Sequence, residues 1–140
     1  MKMRVVFFTC LLSLALCLPA LAEMKEFAKF KIDVPAGWTT EVDGDTVGII
    51  APDKSAAISV TVAASEGATP EAIAKDLSEA FKGSAPEKSD DVYVFTFKNE
   101  SGVDSVGVVA GLGDGKQVAV VTITGEHADV EKIVGSLEKK

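Results

Sequence analysis

From residue 30 onward the apolar positions alternate with polar ones. Phe30, Ile32 and Val34 are separated by Lys31 and Asp33, and Pro35-Ala36-Gly37 breaks the run. A period of two is that of a strand with one buried face. Trp38, Thr40 and Val42 begin a second short strand, and Val47 to Ala51 makes a third before Pro52-Asp53. In the fourth, Ile58, Val60 and Val62 share one face, while Ala57, Ser59, Thr61 and Ala63 share the other. The resulting sheet has one greasy face and one of small, mixed residues.

At Thr69-Pro70-Glu71 the period changes to that of a helix. Thr69 suits the N-cap, Pro70 the first helical position, and Glu71 the positive end of the helix dipole. Ile73, Leu77, Ala80 and Phe81 fall on one stripe, which predicts a core-facing side, and Gly83 is placed to end the helix. A polar linker, Ser84 to Asp91, leads back to strands at Val92 to Lys98, Val103 to Leu112 and Gln117 to Thr124. Val130, Ile133, Val134 and Leu137 then follow the i, i+3, i+4, i+7 spacing of a second amphipathic helix. The order in sequence is ββββαβββα. Most connections between strands are too short for a crossover, so the sheet is expected to be largely antiparallel, an α+β fold packed by two amphipathic helices. No linker divides the chain, and no repeat or low-complexity tract interrupts it.

The first residues follow another logic. Lys2 and Arg4 precede an uncharged, largely apolar run from Val5 to Leu18, then Pro19 and Ala20-Leu21-Ala22. This is the layout of a signal peptide, with cleavage expected after Ala22 and a periplasmic or secreted destination. The run is shorter than the roughly 20 residues of a membrane span, so no stable span is expected after processing. Leu14-Ala15-Leu16-Cys17 offers lipidation of Cys17 as the alternative, although Leu16 stands where a lipoprotein signal has a small residue. The chain thus divides into residues 1–22, a cleaved signal peptide, and residues 23–140, a single domain.

Both cysteines, Cys10 and Cys17, lie in the segment to be removed. The mature chain then has no disulfide and no thiol ligand or nucleophile. Without Lys2 and Arg4, the 14 basic residues become 12 against 21 acidic ones, a net charge of −9. Every remaining basic residue is a lysine. An acidic surface without arginine excludes nucleic acid as an expected partner.

The stretch FKIDVPAGWTTEVDGDTVGIIAPDKSAAISVTV (residues 30–62), followed by TPEAIAKDL and a final helix after a Val-rich strand, resembles the small PsbP-like and DcrB-like domains of exported bacterial proteins. The shared pattern is an opening strand ending in Pro-x-Gly-Trp, a hairpin, a strand after a Pro-Asp turn, and a helix opened by Thr-Pro-Glu. The resemblance implies a sandwich around an antiparallel sheet and a non-catalytic accessory role. Its motifs are structural, and none carries a functional residue onto this chain.

The candidate chemistry has structural explanations throughout. Asp43 and Asp45, with Gly48 at the sixth place, imitate the start of a calcium loop. Val47 and Lys54 then stand at the fifth and twelfth places, where the loop needs an oxygen ligand and a bidentate Glu. Asp-Gly between two strands is instead a hairpin signal. GLGDGK (residues 111–116) lacks the first glycine and the final hydroxyl of a phosphate loop, and Asp114-Gly115 reads as a hairpin turn. His127 is the sole histidine, so no histidine pair can hold zinc, and it reads as a helix-start residue beside Asp129. Ser59, Ser101, Ser105 and Ser136 lack a nucleophile-elbow context. Asn99-Glu100-Ser101 matches a glycosylation sequon but also an ordinary loop, and Trp38 reads as a cap on the core. No catalytic, cofactor-binding or metal-binding residue is therefore expected.

These readings point to an exported, non-enzymatic accessory or protein-interaction domain, binding an unknown protein partner through the small-residue sheet face or a β-edge. The alternative is a periplasmic small-ligand carrier with a pocket between helix and sheet.

Overall fold

The computed structural model describes residues 23–112 and 116–139. The expected signal peptide, both cysteines and the Asp114-Gly115 turn lie outside the described residues. The chain forms β1 (Glu23–Glu26), β2 (Phe30–Val34), β3 (Thr39–Asp43), β4 (Thr46–Ile50), β5 (Ala56–Ala64), helix α1 (Pro70–Ala80), β6 (Glu87–Ser89), β7 (Val92–Lys98), β8 (Asp104–Leu112), β9 (Gln117–Gly125), helix α2 (Val130–Gly135) and β10 (Glu138–Lys139). Seven strands make the main sheet in the order β3-β4-β5-β9-β8-β7-β6, and β1-β2-β10 make a second, smaller one. All of these pairings are antiparallel. The architecture is α+β.

Two features of the smaller sheet differ from the sequence expectation. β2 does not join the main sheet with its successors. Phe30, Ile32 and Val34 instead belong to a single core cluster with Val47, Ile49, Ile58, Val60 and Val62, together with Val130 and Ile133 of α2. The chain turns at Pro35, where the Trp38 N–H donates to the Pro35 carbonyl at 3.2 Å, and Trp38 is buried in the same cluster. The second difference is that the last helix stops at Gly135. Leu137 still packs on the core, but Glu138 and Lys139 are already extended and pair with Lys31 and Phe30.

β1, β6 and β10 have no apolar period to announce them. Their sequences, EMKE, EKS and EK, are held as strands by backbone bonds to neighbours that do have one. That pairing is a long-range property which local patterning does not carry.

The opposite face of the main sheet carries α1. Thr69 caps it as expected, its Oγ1 accepting from the Ala72 N–H at 3.1 Å, with Pro70 in the first turn. Ala74 is buried with Phe95, Val109 and Val118, and Ile73, Leu77, Tyr93 and Phe97 pack around them. Phe95 has its own seat. It pairs with Gly107 on β8, and a Cβ at Gly107 would collide with the Phe95 ring. Glycine there lets the aromatic ring lie flat on the strand beneath it.

Candidate functional site

The expectation that Phe81 is core is not met, since 40% of its surface is exposed. The cause lies in how α1 ends. The Gly83 N–H donates to the Ser78 carbonyl at 2.7 Å and the Lys82 N–H to Glu79 at 3.2 Å, the paired bonds of a Schellman motif. Lys82, with φ of 55°, takes the left-handed position that glycine usually fills. Gly83 comes one residue later, where a Cβ would stand 2.5 Å from the Thr96 carbonyl oxygen. The glycine is needed for close approach to β7, and the helix stops one residue earlier than expected, leaving Phe81 on the cap.

Ser84 then fixes the chain to β7. Its N–H donates to the Thr96 carbonyl at 2.8 Å, and its Oγ accepts from the Thr96 N–H at 2.9 Å. Held in this way, the Phe81 ring stacks on Phe97 with centroids 4.9 Å apart and 28° between planes, and Phe97 in turn lies 5.8 Å from Phe95. Across from them the β7–β8 loop is closed by Asn99. Its Oδ1 accepts from the N–H groups of Ser101 at 3.0 Å and Val103 at 2.9 Å, and Val103 is 42% exposed.

Between these two walls lies an open cleft of about 1040 Å³, at the end of the sheet where β7 and β9 finish and β8 begins. Phe81, Phe97, Val103, Val106 and Ile123 line it, with Lys82, Lys98, Asp104 and Glu126 among its polar residues. The charges are balanced, and Lys98 Nζ sits 2.6 Å from Asp104 Oδ1. Apolar rings with a neutral rim select by shape and burial instead of net charge. The sequence offered one signal for this site, Phe81 as the last member of the helix stripe, and pointed it at the core.

The residues weighed from sequence do not converge here. Asp43 ends β3 and pairs with Thr46, so Gly44-Asp45 is a two-residue hairpin loop whose left-handed first position is Gly44. Asp45 is 3.2 Å from Lys29 Nζ. Among the described residues, no group of three His, Cys, Asp or Glu side chains could hold a metal ion. His127 packs edge-on against Trp38 at 4.9 Å, and its Nδ1 accepts from the Asp129 N–H at 3.1 Å. Ser105 Oγ is 2.9 Å from Thr124 Oγ1, and Ser136 Oγ accepts from the Asp33 N–H at 2.8 Å while donating to Ile133. Ala57, Ser59, Thr61 and Ala63 are half-buried on the face of β5 that α1, seated on β7 and β8, leaves to solvent. Asp53 titrates below the usual carboxylate range because the Ser55 hydroxyl and N–H both donate to it.

Residues 24–74 match the NPCBM-associated, NEW3 domain of alpha-galactosidase. No curated protein sequence matches the chain. Among solved structures, the yeast Ran-binding protein Mog1p from Saccharomyces cerevisiae is similar with a TM-score of 0.57 at 12% identity, covering 85% of this chain and 95% of its own. Cyanobacterial PsbP (CyanoP) from Synechocystis sp. PCC 6803 follows at 0.53 and 10% identity, covering 89% and 95%. A Bacteroides thetaiotaomicron protein has a TM-score of 0.53 at 19% identity over 88% of this chain, which spans only 49% of that one. At these identities the likeness is one of fold alone, an α+β architecture like that of PsbP.

Proposed function

We propose that the protein is an exported, non-enzymatic accessory domain that binds a partner protein by taking up one of its apolar side chains in the cleft beside Phe81. The observation that carries this reading is the stacked Phe81–Phe97 pair, which is held open to solvent by the Schellman end of α1 and the Ser84 bonds to β7. Exposed aromatic surface in a fixed pose is what a binding hot spot requires. Two further points support it. The yeast neighbour is named for binding Ran, a protein. The interface between α1 and the sheet, where a carrier would have its pocket, is filled by Ala74, Phe95 and Val109. Export rests on the leader pattern of residues 1–22 and is checked by N-terminal mass analysis, with Glu23 the expected first residue.

The binding reading is tested by selecting displayed random peptides on the purified protein. Peptides sharing a single bulky apolar anchor are expected, with affinity lost in Phe81→Ser and Val103→Ser. Selection indifferent to both substitutions, or small apolar molecules released by solvent extraction of the native protein, would overturn it in favour of another site or a carrier.

A further inference from the structure

At the opposite end of the main sheet from β6, the edge strand β3 is open. We infer that this edge is a second docking surface, which takes an extended segment carrying a basic-apolar-basic triplet as an added antiparallel strand. The register dictates which backbone groups are free. Asp43 and Thr46 flank a two-residue loop, so they form a hydrogen-bonded pair, as do Glu41 with Gly48 and Thr39 with Ile50. Thr40 and Val42 therefore aim their N–H and C=O groups away from β4, at the open edge.

The side chains define the occupant. Val42 is 65% exposed, the most exposed large apolar residue among those described. It borders a crevice of about 50 Å³ lined also by Phe27, Phe30 and Val47, with the Lys29–Asp45 ion pair among its walls. Glu41 and Asp43 alternate with Val42, so their carboxylates lie on the other face of the strand. In an antiparallel pairing, the residue opposite Val42 meets apolar surface and both its neighbours meet carboxylates. A second copy of this chain fits poorly, because β3 against β3 sets Glu41 and Asp43 against like charges. An edge kept only for repulsion would have no use for a bare valine next to an apolar crevice.

The test is titration of the ¹⁵N-labelled protein with short capped peptides. A Lys-Val-Lys core is expected to give saturable shifts confined to Thr39 through Asp45 and slowed amide exchange at Thr40 and Val42. A Glu-Val-Glu core should bind about tenfold more weakly, given two cross-strand charge pairs that change sign. A Val-Lys-Val core, one residue out of phase, should also lose the interaction. Val42→Pro removes an outward N–H that β4 does not use, so it should leave the hairpin intact and abolish binding. Glu41→Lys/Asp43→Lys should exchange the two peptides' ranks. Equal binding of the lysine and glutamate peptides, shifts centred on Phe81 instead of Val42, or self-association through β3 would each overturn the assignment.

Discussion

The two faces of the main sheet are covered unequally. One bears a continuous core in which β2, α2 and Trp38 close over Ile49, Ile58, Val60 and Val62. The other bears only α1, whose buried contacts reduce to Ala74 with Phe95, Val109 and Val118, fringed by half-buried aromatics. Away from its β3 edge, a face packed by branched aliphatics from several elements has little left to offer a partner. The face held by one helix on a few aromatic rings ends in an exposed ring at the rim of the cleft, which runs round the end of the sheet to Val106 and Ile123 on the other face. On the proposed reading, recognition falls to the thin layer, because a side chain that contributes little to the core is free to bind something else.

The inequality can be broken from either side. Phe95→Ala in the thin layer and Ile58→Ala in the thick one should cost about 3–5 and about 2–5 kcal/mol respectively in urea unfolding, since both are fully buried and leave cavities. Only the Phe95 change should also accelerate amide exchange selectively in α1, because that helix has no other anchor of comparable size. If α1 exchanged no faster than β5 in this variant, the layers would be one cooperative unit. Gly107→Ala should cost about 1–3 kcal/mol through overpacking against the Phe95 ring, an effect that Phe95→Leu should partly relieve. Lys82→Gly should stabilise by about 1 kcal/mol, because it removes left-handed strain at the helix end without touching the core. Phe81→Ala should cost at most about 1 kcal/mol, as expected of a half-exposed ring. The smallest effect concerns Asp53. Its carboxylate is favoured in the folded state, so its contribution is present above the unfolded carboxylate range and is lost as pH falls through its lowered value. The difference in Tm between the protein and Asp53→Asn should therefore shrink on acidification.

What the sequence conveyed follows the same division. Alternation in Ile58, Val60 and Val62, and the cap at Thr69-Pro70-Glu71, are written locally, and both recur in the structure. The bounds of β7, Val92–Lys98, coincide with its apolar run for the same reason. The departure of β2 from the main sheet depends on which layer its side chains meet, and no neighbour in sequence encodes that. Phe81 fits a helical stripe as well as any core residue. Its exposure is decided by Lys82 and by the close approach of Gly83 to Thr96, two contacts that a periodicity count does not see. The candidate cleft was illegible because it assembles strand ends and a helix cap. The open edge at β3 was anticipated only as a kind of surface, and its occupant needed the register to be known.

The position of β9 has a consequence in time. Ala64 pairs with Gln117 and Ala56 with Gly125, so the centre of the main sheet is filled by a strand from the last quarter of the chain. Until that strand arrives, β5 and β8 are both unpaired edges, and neither half of the sheet can close its hydrogen bonds. Loop-closure entropy across so long a separation makes the final zipping slow compared with hairpin formation. A growing chain is therefore kept from locking into its native state before its end is made. Under the proposed export, in which the chain is threaded unfolded through a membrane channel, late arrival of the central strand acts as a built-in delay.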